Sequence, residues 1–127
     1  MSSPAEEAVK KANRLADGGD GEAAAKVLEE YLSGDPDNRD ARLLLARTAV
    51  YVLKDADRGI AQLDIILERH PDDPDALKAL ATVLMKKKKN NKRADECYRK
   101  LTETCPDAEV YNAYAVFLRM QMLDFQT

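Results

Sequence analysis

Apolar side chains along the chain fall three and four residues apart, as in Val27, Leu28, Tyr31 and Leu32, or Leu77, Leu80, Ala81 and Leu84. That spacing lines one face of a helix, and no run alternates as a strand does. The pattern predicts helices near 4–17, 20–33, 37–53, 57–69, 73–87, 91–104 and 107–123. Proline and acidic groups punctuate it. In Asp35-Pro36-Asp37-Asn38 and Pro71-Asp72-Asp73-Pro74-Asp75 a proline stands where one helix stops, and carboxylates stand where the next begins, which suits the helix dipole. Asp17-Gly18-Gly19-Asp20 breaks the first pair of helices, with Asp20 as the N-cap.

The pattern repeats. Pro36, Pro71 and Pro106 are 35 residues apart. Eight residues before each proline stands a large side chain (Leu28, Leu63, Tyr98), and four before that a small residue (Ala24, Gly59, Ala94). Upstream, Ala12, Ala46, Ala81 and Ala115 recur in the same phase, each followed three residues later by Leu15, Ala49, Leu84 or Leu118. A fixed period of this length is the signature of a solenoid of helical hairpins. The second and third hairpin turns each hold one residue more than the first.

The spacing of large, leucine and small residues, then alanine, aromatic and proline, resembles the tetratricopeptide repeat over roughly residues 5–123. The third unit matches best, with Leu77, Leu80, Ala81, Leu84, Ala94, Tyr98 and Pro106. Lys11, Arg42 and Gly59 depart from the pattern, standing in slots for leucine, a large apolar residue and alanine. The resemblance implies an all-α, right-handed superhelical solenoid of antiparallel hairpins. It would form one domain, with repeats at 5–38, 39–73 and 74–107 and a capping helix or partial fourth repeat at 108–127.

Composition narrows the function. The chain has 127 residues, 20 basic and 23 acidic, and a net charge of -3. It has no long apolar span and no basic-then-apolar leader, so a cytoplasmic protein is expected. One histidine, His70, and two cysteines, Cys97 and Cys105, are too few for a Cys/His zinc site or a disulfide framework. No glycine-rich phosphate loop, paired carboxylates or nucleophile–base set stands out. The expectation is a protein with no catalytic residues, no metal and no cofactor, whose two cysteines are thiols in a reducing compartment.

Resemblance to the family implies instead a groove lined by the first helix of each hairpin, which takes a peptide or helix of a partner protein. Its expected lining is Val9, Asn13, Leu43, Arg47, Val50, Tyr51, Lys78, Thr82 and Met85, continued by Glu109, Asn112, Val116 and Arg119. Leu43, Val50, Tyr51 and Met85 would hold apolar groups, and Arg47 and Lys78 would meet a carboxylate or phosphate. A carboxylate clamp of the chaperone-binding kind is not expected. Asn13 fits its first asparagine slot, but Val9, Leu44, Asp75 and Ala79 occupy the other four.

Two further features stand out. Lys86-Lys87-Lys88-Lys89-Asn90-Asn91-Lys92-Arg93 concentrates positive charge in the third hairpin turn. A module docking through this turn on nucleic acid or another polyanion is the alternative reading, although the turn lacks stacking aromatics. In the last helix Tyr111, Tyr114, Ala115 and Leu118 are expected to pack inward. Val116, Phe117 and Met120 would then stay exposed, giving either a homodimer through this helix or a piece of a longer chain.

Overall fold

Side-chain caps set the helix starts. The computed structural model describes residues 3–126, with side chains up to Leu123; the last residue of the expected final segment, Thr127, lies outside them. The described residues form seven α-helices: α1 Pro4–Asp17, α2 Gly21–Gly34, α3 Arg39–Tyr51, α4 Ala56–Arg69, α5 Pro74–Val83, α6 Asn91–Thr104 and α7 Ala108–Gln126. The expected boundaries hold to within two residues, save the C-terminal ends of α5 and α7. Ser3, Asn38 and Asp73 cap the first helices of successive hairpins by accepting from Glu6, Ala41 and Ala76 N–H. Asp20, Asp55 and Asn90 do the same for the second helices, at Ala23, Arg58 and Arg93. Each series recurs every 35 residues. Every cap satisfies an N–H that the helix itself leaves unpaired.

The extra residue expected in the later hairpin turns is not there: Ser3–Asp20, Asn38–Asp55 and Asp73–Asn90 are each 17 residues apart, and the offset between Ala12 and Ala46 arises inside α1 instead. Between α3 and α4 the chain crosses through Lys54 in the left-handed region (φ 58°). After α5 the helix widens into a π-helical turn, Leu84–Lys88, and leaves it through Lys89 at φ 54°. The first turn has Gly19 at the equivalent position, 35 residues before Lys54, at φ 87°.

The chain forms two compact units, Met1–Pro71 and Asp72–Thr127. In the first, α1 to α4 pack as two hairpins around Ala12, Ala24, Ala25, Leu28, Leu32, Ala41 and Leu45. The in-phase small residues permit this closeness. Gly59 is tightest: a Cβ there would lie 2.3 Å from Val50 Cγ2 and 3.0 Å from the Ala46 carbonyl oxygen. The slot that usually holds alanine therefore holds glycine, because Val50 fills the space. Arg42 is explained similarly. It donates to the Pro36 carbonyl oxygen at 2.8 Å and to Gln62 Oε1 at 2.7 Å, tying α3 to the preceding turn and to α4.

In the second unit α5 and α6 form the third hairpin and α7 lies on α6. Tyr98 of α6 meets Tyr114 and Phe117 of α7 at ring-centroid distances of 5.6 and 5.2 Å. Phe117 is fully buried and Val110 is 1% exposed. This corrects the expected phase of α7. Val110, Tyr114 and Phe117 face inward, whereas Tyr111, Ala115 and Leu118 are exposed. Phe117 is thus part of the core and unavailable for self-association; Val116 and Met120 do remain exposed. The reason is geometric. The repeat slots of Tyr111, Ala115 and Leu118 are the ones a hairpin covers with its own second helix, and among the described residues none follows α7.

Candidate interaction site

On the first unit the expected lining residues divide. Asn13 of α1 is exposed, as are Arg47 and Tyr51 of α3, which stand one turn apart. Val9 is half-buried against the α1–α2 core. Leu43 and Val50 are corrected: they are 7% and 3% exposed. α3 packs on α1, α2 and α4 at once, so apolar groups on most of its circumference are consumed by packing, Val50 beneath Gly59 in particular.

On the second unit Lys78 and Thr82, one turn apart on α5, and Met85 in the π-turn are half-buried. The Thr82 hydroxyl donates to the Lys78 carbonyl oxygen at 2.9 Å. Lys78 and Thr82 open onto a cavity of about 120 Å³ lined also by Tyr98, Leu101, Glu109, Val110 and Ala113. Its floor is the buried Tyr98, Leu101 and Val110. Its rim carries opposite charges, Lys78 Nζ standing 3.9 Å from Glu109 Oε1. At that separation, with Glu109 largely exposed, the pair binds weakly and can be exchanged for a ligand group. A small apolar recess beside a replaceable cation suits an aliphatic side chain with a neighbouring anionic group. The sequence pattern pointed to Lys78 and Thr82 but not to the floor. Tyr98 and Leu101 read as ordinary packing residues, and the space exists because position 113 is alanine.

The remaining chemically notable groups are placed structurally. His70 ends α4 and is exposed, its backbone N–H bonded to the Ile66 carbonyl oxygen at 2.8 Å. Cys97 is buried in α6. The Cys105 thiol donates to Asp107 Oδ2 at 3.4 Å. That bond and the adjacent negative charge push its pKa up, so the thiolate required of a nucleophile is disfavoured. Asp107 in turn caps α7 by accepting from Val110 N–H at 2.9 Å. Lys86 to Lys89 are all exposed. No helix among the described residues is long and apolar enough to cross a membrane.

Two family models described as tetratricopeptide repeat match the sequence, over residues 5–48 and 48–109. The chain belongs to the tetratricopeptide repeat family. Among similar solved structures is the first TPR of Spaghetti (RPAP3) bound to the HSP90 peptide SRMEEVD, at 15% identity and a TM-score of 0.79, covering 93% of this chain and 95% of that one. The fold is accordingly the all-α TPR solenoid. No curated protein matches the sequence.

Proposed function

We propose that this chain is a non-catalytic protein-interaction module that takes a peptide or helix of a partner protein on the faces of its first helices. In the first unit the contact residues are Val9, Asn13, Arg47 and Tyr51. In the second they are Lys78, Thr82 and Met85, with the cavity beside them. That cavity carries the reading, since an apolar floor under a cation recognises a side chain and leaves α5 to α7 intact. The family assignment and the peptide held by the Spaghetti (RPAP3) domain support it.

The ligand is read through an aliphatic side chain and its neighbouring acidic group, not gripped by a terminal carboxylate. Val9, Leu44, Asp75 and Ala79 supply neither the amides nor the cations that gather a terminal carboxylate, and exposed Asp75 repels one. An aliphatic residue beside a single acidic group fits Lys78 and the recess better. The setting is the cytoplasm, a reading supported by Cys97 and Cys105 being thiols rather than disulfide partners.

Selection of a phage-displayed random peptide library on the purified chain tests this. Recovered peptides should share an aliphatic residue next to an acidic one. Lys78→Glu, and Ala113→Met to fill the cavity, should each weaken their binding by ~10-fold or more while leaving the helical circular dichroism unchanged. Peptides that bind both variants as well as the parent chain, or no enrichment at all, would overturn the assignment.

A further inference from the structure

Six of the seven large apolar side chains exposed among the described residues belong to α7: Tyr111, Val116, Leu118, Met120, Met122 and Leu123. Such concentration on one element marks an interaction surface rather than the scatter of single apolar residues found on any protein. The six separate into two stripes on either side of the buried Val110, Tyr114 and Phe117. One stripe, Tyr111, Ala115, Leu118 and Met122, is spaced four, three and four and so is continuous along the helix.

The repeat identifies what this stripe is built to meet. Tyr111, Ala115 and Leu118 are the counterparts of Leu77, Ala81 and Leu84 in the third hairpin. Those three are 3%, 0% and 2% exposed, whereas Tyr111 and Leu118 are 52% and 42% exposed. Ala12, Ala46 and Ala81, in phase with Ala115, are at most 1% exposed. The stripe therefore continues, in the same register, the interface that each earlier hairpin makes with its second helix. Its natural occupant is another helix, crossing at the close distance a small residue allows.

We propose that this helix is α7 of a second copy of the chain, packed antiparallel across a two-fold axis between Val116 and Phe117. In that register Ala115 of each copy faces Leu118 of the other, and Tyr111 faces Met122. A large group meets a small one, and a thioether meets an aromatic ring, at both ends of the contact. The same patch serves both partners, as a two-fold interface requires. The stripe contains no charged residue, so no like charges meet across the axis and an ionic partner gains nothing there. The inward-facing residues stay where they are, because the dimer uses only positions already exposed. This proposal is independent of the peptide-binding one, which uses α5 and the opposite flank of α7.

One pair of helix stripes buries less than the roughly 800 Å² per partner of a standard interface, so the dimer is a weak one. Sedimentation equilibrium of the chain, from about 10 µM to about 1 mM, should show the mass rising above the 14.2 kDa monomer at concentrations on the order of 0.1 mM. Ala115→Lys and Leu118→Glu, both at exposed positions, should each weaken dimerisation by ~10-fold or more and keep wild-type helicity. Their equimolar mixture should recover a heterodimer to within about threefold of the parent affinity, since Lys at 115 of one copy then faces Glu at 118 of the other. A monomer mass across the whole range would overturn the proposal, as would dimers unaffected by both substitutions. So would a mixture no stronger than the variants alone. A chain that stays monomeric yet binds a synthetic peptide of residues 90–105, a second helix offered in trans, would assign the face to a separate helix and refute self-pairing.

Discussion

The Tyr114 hydroxyl donates a hydrogen bond of 2.6 Å to Asp95 Oδ1, fastening α7 to α6 at the edge of the aromatic cluster. Arg99 Nε holds the other oxygen of the same carboxylate at 2.7 Å. Burial first, and then the bond to Asp95, push the phenol pKa up, so the hydroxyl keeps its proton through the physiological range. Tyr114→Phe retains the ring contacts with Tyr98 and Phe117 and deletes the bond to Asp95, together with the 3.4 Å bond the hydroxyl accepts from Arg99 Nε. Because Arg99 still partners Asp95, the loss should be about 1 kcal/mol, read as a lower urea midpoint with an unchanged slope.

Gly59→Ala should destabilise the chain, against the usual gain for that change inside a helix. The new Cβ would stand 2.3 Å from Val50 Cγ2 and 3.0 Å from a backbone oxygen, and such overpacking costs about 1–3 kcal/mol. Adding Val50→Ala should return part of that loss. A Gly59→Ala chain as stable as the parent in denaturant titration would contradict this account.

Lys89 and Lys54 occupy the left-handed region without being glycine. Replacing Lys89 with glycine should stabilise the third hairpin by about 1 kcal/mol, the order of the steric cost for a residue with a Cβ there. The thermal midpoint should rise, and more so when Lys54→Gly is combined with it.

Asp107 supplies a pH dependence. The Val110 N–H, and after it the Cys105 thiol, hold its carboxyl below the ordinary carboxylate value. A folded pKa that is depressed gives stability fully present above the unfolded value of about 3.9 and lost as pH falls through the lower folded value. Asp107→Asn keeps a cap but removes the titration. The fall in Tm between pH 5 and pH 2.5 should therefore be smaller in the variant than in the parent chain.

The helix starts were legible in the sequence because caps and prolines act within a few residues. Asp20 reads there as a cap, and the acidic groups of 35–38 and 71–75 mark two further starts, whereas the caps at Ser3, Asp55 and Asn90 emerge from the structure. The phase of α7 was not legible. Its sequence is apolar on nearly every side, so periodicity offers two faces, and the choice depends on whether a second helix follows. Leu43 and Val50 failed as surface residues for a related reason: α3 is covered from several directions at once, and one helix's pattern does not reveal how many neighbours it has. Arg47, Tyr51 and Asn13, polar or amphipathic residues away from those contacts, are exposed as expected. The cavity required knowledge of three helices together and of the missing bulk at Ala113.

The recurring caps also make the chain divisible. Removing residues 39–73 would join Asn38 directly to Pro74, leaving a cap side chain at the exact distance from the next helix that Asp73 now keeps. Each 35-residue stretch thus carries its own start signal, so deleting or duplicating whole stretches leaves the cap of the following helix in place.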